Sequence, residues 1–202
     1  MNSEVVQKAK EHILHIFHSQ ELANHVYHDV THTQNVVEAV EVIAKAEGLG
    51  ANDIEILQLA AWFHDSGYIK KIEGHEELSA EYAREFLSKY NYPIQRIDKV
   101  ANCILSTKVP QQPKNLLEMI ICDADLSHLG KQNFKDRNNL FREEFEFHYG
   151  KPLTEYEWLK KSIDFLNEHH FFTNYAKKVL EPQKQENLSK LRKKFLTLTG
   201  SR

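Results

Sequence analysis

Glycine and proline are scarce in this chain, seven and five among 202 residues, so few of the breaks that end regular structure are present. Cysteine is scarcer still. Cys103 and Cys122 stand alone in NCIL and IICD; no disulfide framework follows from such a pair, and zinc-type CxxC spacing is absent. Both read as reduced core thiols. No run approaches the roughly 20 apolar residues that cross a bilayer. The amino terminus MNSEVVQKAKEHILHIF is charged too early and too often for a signal peptide. A cytoplasmic chain without a membrane segment is therefore expected. A large charge of one sign is missing too: the net charge of −3 offers no general attraction to a phosphate backbone, so no nucleic-acid polymer is expected as a partner. Repeats, low-complexity tracts and Gly/Ser linkers are also lacking, which predicts a single domain over 1–202.

What is present is apolar residues recurring at intervals of three and four, within a composition 41% hydrophobic and 27% charged. That periodicity predicts an all-α helical bundle. The first helix, about 4–19, places Val5, Val6, Ala9, Ile13, Ile16 and Phe17 on one face. A second starts near Thr31 and stops at Gly48. A third is capped by Asn52 or Asp53 and runs through Ile54, Leu57, Ala60, Ala61 and Phe63 towards Gly67. Further helices are predicted at about 76–90, 93–106, 115–129, 132–148, 155–170 and 174–196. Thr154 with Glu157 forms a capping box, and Pro182 should kink or divide the last helix. Phe145, Phe147, Tyr149, Tyr156 and Trp158 read as core rather than base-stacking groups. The tail QKQENLSKLRKKF reads as a solvated docking helix.

Twelve histidines need sorting before any is taken for a ligand. His12, His15 and His18 fall on the polar side of the first helix. His169 and His170 sit at a helix end, where partial protonation suits the dipole. The segment LAAWFHDSGY differs, because a buried run delivers an adjacent imidazole and carboxylate, His64 and Asp65. An ionised carboxylate taken from water needs a compensating charge or full hydrogen bonding, and a cation is a natural partner. Two further segments add to it: YHDVTHTQNVVEAV carries His28 and His32 at a helix start, and ICDADLSHLG carries Asp123 and Asp125 in or beside an apolar helix.

Taken in order, these segments resemble the HD superfamily of metal-dependent phosphohydrolases, whose pattern is a lone His, a distant His-Asp doublet and a later Asp. The resemblance runs from about Tyr27 to Gly130 and includes GHEELSAEYAREFL. It implies an HD-type bundle with a metal-binding core at about 27–130 and helices of 131–202 packed on it. His32, His64, Asp65 and Asp125 are then the ligands of one divalent ion. Asp125 is matched through the Ala124-Asp125-Leu126 context, with Asp123 the alternative. Two imidazoles and two carboxylates suit Mn, Fe, Co, Ni or Mg without demanding zinc.

The same resemblance implies catalytic roles for Asp65, His75 and Lys108. His75 would orient a nucleophilic water or protonate the leaving oxygen. Lys108 stands where many members carry an active-site His, which argues for a single metal; Lys70 and Lys71 are further candidates for holding phosphate. The expected reaction is hydrolysis of a phosphate ester in a small, nucleotide-like substrate by a water acidified by the ion. The alternative is a nucleotide-sensing domain with little turnover, part of a larger signalling or defence protein. A homodimer is left open.

Overall fold

The computed structural model describes residues 3–19 and 25–200. Among them are α-helices, one 3-10 turn and no strand, the all-α architecture expected from the periodicity. No described helix is long and apolar enough to cross a membrane. The chain divides into two compact units, Met1–Asp125 and Leu126–Arg202.

The first unit holds six helices: α1 (Glu4–Ser19), α2 (Val30–Ala46), α3 (Ala51–Phe63), α4 (His75–Lys89), α5 (Ile94–Ser106) and α6 (Leu116–Asp125). Its hub is α3, in which every residue from Ile56 to Phe63 is buried. A helix that is apolar all round must have neighbours on all sides. Here α1, α2, α4, α5 and α6 all pack against it. Gln58, the polar residue in that buried stretch, donates to Glu41 of α2, so the polar group is satisfied.

The helix starts show where side-chain chemistry competes with backbone. Neither Asn52 nor Asp53 caps α3; Gly50 occupies the N-cap in an extended conformation with no side-chain bond. Asp53 lies instead inside the first turn, where its charge still favours the positive helix end. The second helix begins at Val30 because Asp29 caps it, accepting the His32 amide at 2.7 Å. On α1, Val6, Ala9, Ile13 and Phe17 are buried, and His12, His15 and His18 are exposed. Cys103 and Cys122 are buried free thiols. Burial pushes both up, Cys122 to about 12, which keeps them inert.

The second unit contains the 3-10 turn Leu126–Gly130 followed by α7 (Phe134–Tyr149), α8 (Glu155–Glu168), α9 (Asn174–Val179) and α10 (Glu181–Gly200). Leu126, Leu129, Phe134, Leu166, Phe171 and Leu188 form its core. The capping box of Thr154 and Glu157 opens α8. Pro182 falls in the first turn of α10, where its missing amide hydrogen is no loss, and the helical run is divided at Leu180. Lys184 is fully buried in the charged tail helix; its ammonium donates to the His169 carbonyl at 2.7 Å and pairs with Glu181 at 3.0 Å. Of the late aromatic residues read as core, Trp158 is buried, whereas Phe147, Tyr149 and Tyr156 are exposed. On α7 only Phe134, Arg137 and Glu144 are buried; Phe145 is half-buried against Trp158, and Tyr156, on α8, meets Phe195 while staying exposed.

One glycine fixes how α4 meets the turn that follows α3. A Cβ on Gly67 would lie 2.5 Å from the His75 carbonyl oxygen and 2.9 Å from the Ser79 nitrogen. Both are backbone atoms that cannot step aside. The Gly67 amide donates to Ser79 Oγ at 2.8 Å, closing the same contact. Gly67→Ala should therefore destabilise the fold by about 1–3 kcal/mol, the range for overpacking a well-filled site. Urea unfolding followed by helical circular dichroism measures this; a loss under about 0.5 kcal/mol, ordinary for a surface change, would show the approach to be looser than described.

Candidate metal centre

Three helix ends in the first unit deliver the residues of the cluster. His32 comes from the first turn of α2, which Asp29 anchors through the His32 amide, and the Tyr27 ring stacks on its imidazole at 5.1 Å. His64 and Asp65 follow the last turn of α3, and Asp125 ends α6. His32, His64 and Asp65 are buried. Asp125 is partly exposed and marks the open side.

The orientation of His64 decides what the cluster can be. Its Nδ1 sits 2.8 Å from the Ala61 carbonyl oxygen, an acceptor that requires the ring proton on that nitrogen. In the neutral ring, Nε2 then presents a bare lone pair. Around that lone pair stand His32 Nε2 at 3.3 Å, Asp65 Oδ2 at 3.0 Å and Asp125 Oδ1 at 3.7 Å. His32 Nε2 lies 3.3 Å from the same Asp65 oxygen and 3.2 Å from Asp125 Oδ1.

These separations are long for paired ionic hydrogen bonds, which close to about 2.7–2.9 Å. They match neighbouring ligands of one ion: with each donor about 2.1 Å from the metal, adjacent donors fall about 3 Å apart. Asp65 Oδ2 is buried and makes no hydrogen bond, an uncommon state for a carboxylate oxygen. His32, His64 and Asp125 thus face one another closely enough to fit a divalent cation, and Asp65 lies against both imidazoles. Among the described residues, the ligand atoms of His32, His64 and Asp125 lie within 4.8 Å of one another.

Without such an ion, protons must balance the charge. Burial opposes a charge on His32, but Asp125 and Asp65 against its ring outweigh burial and raise it to about 9. His64 is also raised, with Asp65 the main opposing influence to burial. Burial would lift Asp65, yet the His64 charge and the surrounding imidazoles hold its carboxyl well below the usual range.

Of the remaining residues expected at the site, His75 joins it. As the first residue of α4, it places Nε2 at 3.4 Å from Asp65 Oδ1, while its Nδ1 faces the Ile72 carbonyl at 2.7 Å. Burial lowers its tendency to charge, but Asp65 raises it to about 9. Lys108 is half exposed and pairs with Glu77 at 2.6 Å, which puts its charge at the same end of α4. Lys70 lies over the Tyr82 ring. Lys71 comes close to Gly74. Asp123 is fully buried within α6.

Three supporting groups escaped the sequence reading. Asp29 caps the helix that carries His32, and its signal was visible in HDVTH as an Asp three residues before a His. Gln111 reaches Asp125 Oδ2 at 3.4 Å from a loop with no motif. Tyr68 is buried with His28 stacked on it, ring centres 3.9 Å apart, and His75 edge-on to it at 5.0 Å.

The pattern of residues and their convergence agree with the comparisons. The HD domain family model matches residues 29–130, half of the chain, and the chain belongs to that family. Among solved structures, a predicted HD superfamily hydrolase from an uncultured Thermotogales bacterium is similar at 20% identity, over 95% of this chain and 91% of that one, with a TM-score of 0.63. A protein from Lactobacillus plantarum is similar at 16% identity, over 98% and 100%, with a TM-score of 0.66. At these identities the likeness concerns the fold. No curated protein matches the chain.

The charge balance yields a pH dependence. His32 in the ion-free protein, raised from 6.5 to about 9, contributes stability that is full below its unfolded pKa and lost as pH rises through about 9. A divalent ion competes with those protons, so its affinity rises over the same interval. The melting-temperature gain from added Mn²⁺ should grow between pH 6.5 and 9. An equal gain at both ends would mean that the ion displaces no proton from these imidazoles.

Proposed function

We propose that this chain is a metal-dependent phosphohydrolase that cleaves a phosphate ester in a small, nucleotide-like substrate. The observation that carries the reading is the buried Asp65 Oδ2 left without a hydrogen bond, 3.0 and 3.3 Å from two imidazole nitrogens. His32, His64, Asp65 and Asp125 hold one divalent ion. Mn, Fe, Co, Ni and Mg all suit two nitrogens and two carboxylates. When bound, the ion supplies Lewis acidity, easing deprotonation of a water and drawing charge from a phosphoryl oxygen.

The side chains have separable tasks. Asp125, on the open side, leaves the cluster accessible to substrate. Two carboxylates nearly cancel the charge of a divalent ion, so a phosphate requires further positive groups. His75 supplies one. Its ring is aimed by the Ile72 carbonyl, and it holds a proton beside Asp65 for transfer to the leaving oxygen. Lys108 supplies another, its ammonium exchanging Glu77 for a phosphate oxygen. Asp65 works in both sets, bridging the ion and His75. Positioning and charge stabilisation then account for most of the acceleration.

Metal analysis of the purified chain, followed by assay with Mn²⁺ against nucleoside monophosphates, triphosphates, cyclic nucleotides and guanosine polyphosphates, tests the reading. Turnover of at least one class is expected, and a metal-loaded protein inert to the whole panel would refute catalysis. His64→Ala and Asp65→Ala should abolish turnover and retain helicity. His75→Ala should lower kcat by about 10²–10⁴-fold, the usual contribution of a positioned proton donor, while metal content stays intact. Lys108→Ala should raise KM more than it lowers kcat.

A further inference from the structure

A cavity of about 670 Å³ lies within the first unit, apart from the metal cluster, between α1, the turn after α3, and α4. Its size falls in the usual small-molecule range of about 300–1,000 Å³. The wall is largely aromatic: His12, Tyr82, Phe86 and Tyr90 line it. His12 and Phe86 stack with centres 4.9 Å apart and planes at 28°. Burial, with Lys89 and His15 nearby, lowers His12 from its ordinary value, so it presents a neutral ring. Tyr90 is 44% exposed, a large ring left at the surface beside a hollow.

Charge at the rim is asymmetric. Lys70 and Lys89 line the cavity and Glu85 is its single carboxylate. No ion pair joins Lys70 or Lys89 to a carboxylate among the described residues; Lys70 rests over the Tyr82 ring at 5.7 Å. An ammonium above a ring is a cation already placed beside a stacking surface. Ser66 forms part of the lining. Its hydroxyl donates to the Phe63 carbonyl at 2.7 Å, so its oxygen lone pairs remain available to a donor on a ligand.

We propose that this cavity is a second ligand site, separate from the metal centre, which binds a planar aromatic ring carrying an anionic group and hydrogen-bond donors, the chemistry of a nucleoside monophosphate. The base lies against the rings of His12, Phe86 and Tyr90. The phosphate meets Lys70 and Lys89, each a compact ammonium suited to a phosphate oxygen. Glu85 and Ser66 accept from amino or ribose hydroxyl groups. The site requires no metal and does not depend on turnover at the cluster.

Calorimetric titration of the full chain with AMP, GMP, CMP, UMP and the matching nucleosides tests this, with Mn²⁺ and again in EDTA. One site per chain for at least one monophosphate should persist in EDTA, and the matching nucleoside should bind at least about tenfold more weakly, about 1.4 kcal/mol. The double variant Lys70→Glu, Lys89→Glu alters exposed side chains and should keep the melting temperature while removing this binding. His12→Ala should weaken it without affecting Mn²⁺ uptake. Binding lost in EDTA, binding untouched by the double charge reversal, or no binding across the panel would each overturn the proposal. A protein inert in every assay yet binding a monophosphate in EDTA would sink the hydrolase reading and leave this one standing.

Discussion

The interaction on which the rest depends is the meeting of two imidazole nitrogens, 3.3 Å apart, with a carboxylate oxygen of Asp65 and one of Asp125, each 3.0–3.7 Å from both rings. In water each group would be solvated; gathered together, with His32, His64 and Asp65 buried, they must share a positive charge. An uncompensated buried carboxylate is worth several kcal/mol of penalty, a large fraction of the roughly 5–15 kcal/mol that holds a domain together. The cluster therefore exists only because protons or a cation balance it. Protons do so imperfectly: one Asp65 oxygen has no hydrogen bond, and the nitrogen-to-oxygen distances of 3.0–3.7 Å suit a shared centre better than direct pairs.

Holding such a cluster requires a rigid frame, and α3 provides it. Because that helix is buried on every side, its C-terminal end cannot drift without disturbing five neighbours. His64 and Asp65 emerge from that end, His32 from a capped helix start and Asp125 from the last residue of α6. Side chains at helix termini have a known direction but are not consumed by packing along the helix. The Ala61 carbonyl, itself in the last turn of α3, fixes the His64 tautomer. Helix geometry and site chemistry are one arrangement here.

Much of this was legible in the residues themselves. The three- and four-residue apolar spacing gave the helices their places, Thr154 with Glu157 marked a cap that forms, and Pro182 marked a division that occurs. The resemblance to the HD superfamily pointed to His32, His64, Asp65 and Asp125, side chains that the first unit brings near one another. Gln111 could not, since its approach to Asp125 depends on the path of a loop. The start of α3 is ambiguous in the sequence because Asn52 and Asp53 both have capping side chains, yet the N-cap falls earlier, at Gly50, with no side-chain bond. The exposed rings of α7 show the limit of reading aromatic residues as core; hydrophobic side chains are buried only where a partner surface exists.

The turn from His64 to Lys70 serves two neighbouring regions through adjacent residues. Asp65 takes part in the cluster, and Ser66, next in the chain, lines the aromatic cavity. Such close division of labour demands a backbone that does not rotate. Three bonds prevent rotation: the Ser66 hydroxyl to the Phe63 carbonyl, the Gly67 amide to Ser79, and the Lys70 amide to the Gly67 carbonyl. Gly67 itself admits the α4 backbone so closely that no other side chain fits without displacement. That approach also sets His75 at the head of α4 within reach of Asp65. The absence of one side chain thus places both the proton-bearing imidazole and the wall of the second cavity, and the spacing of each follows from the same backbone contact.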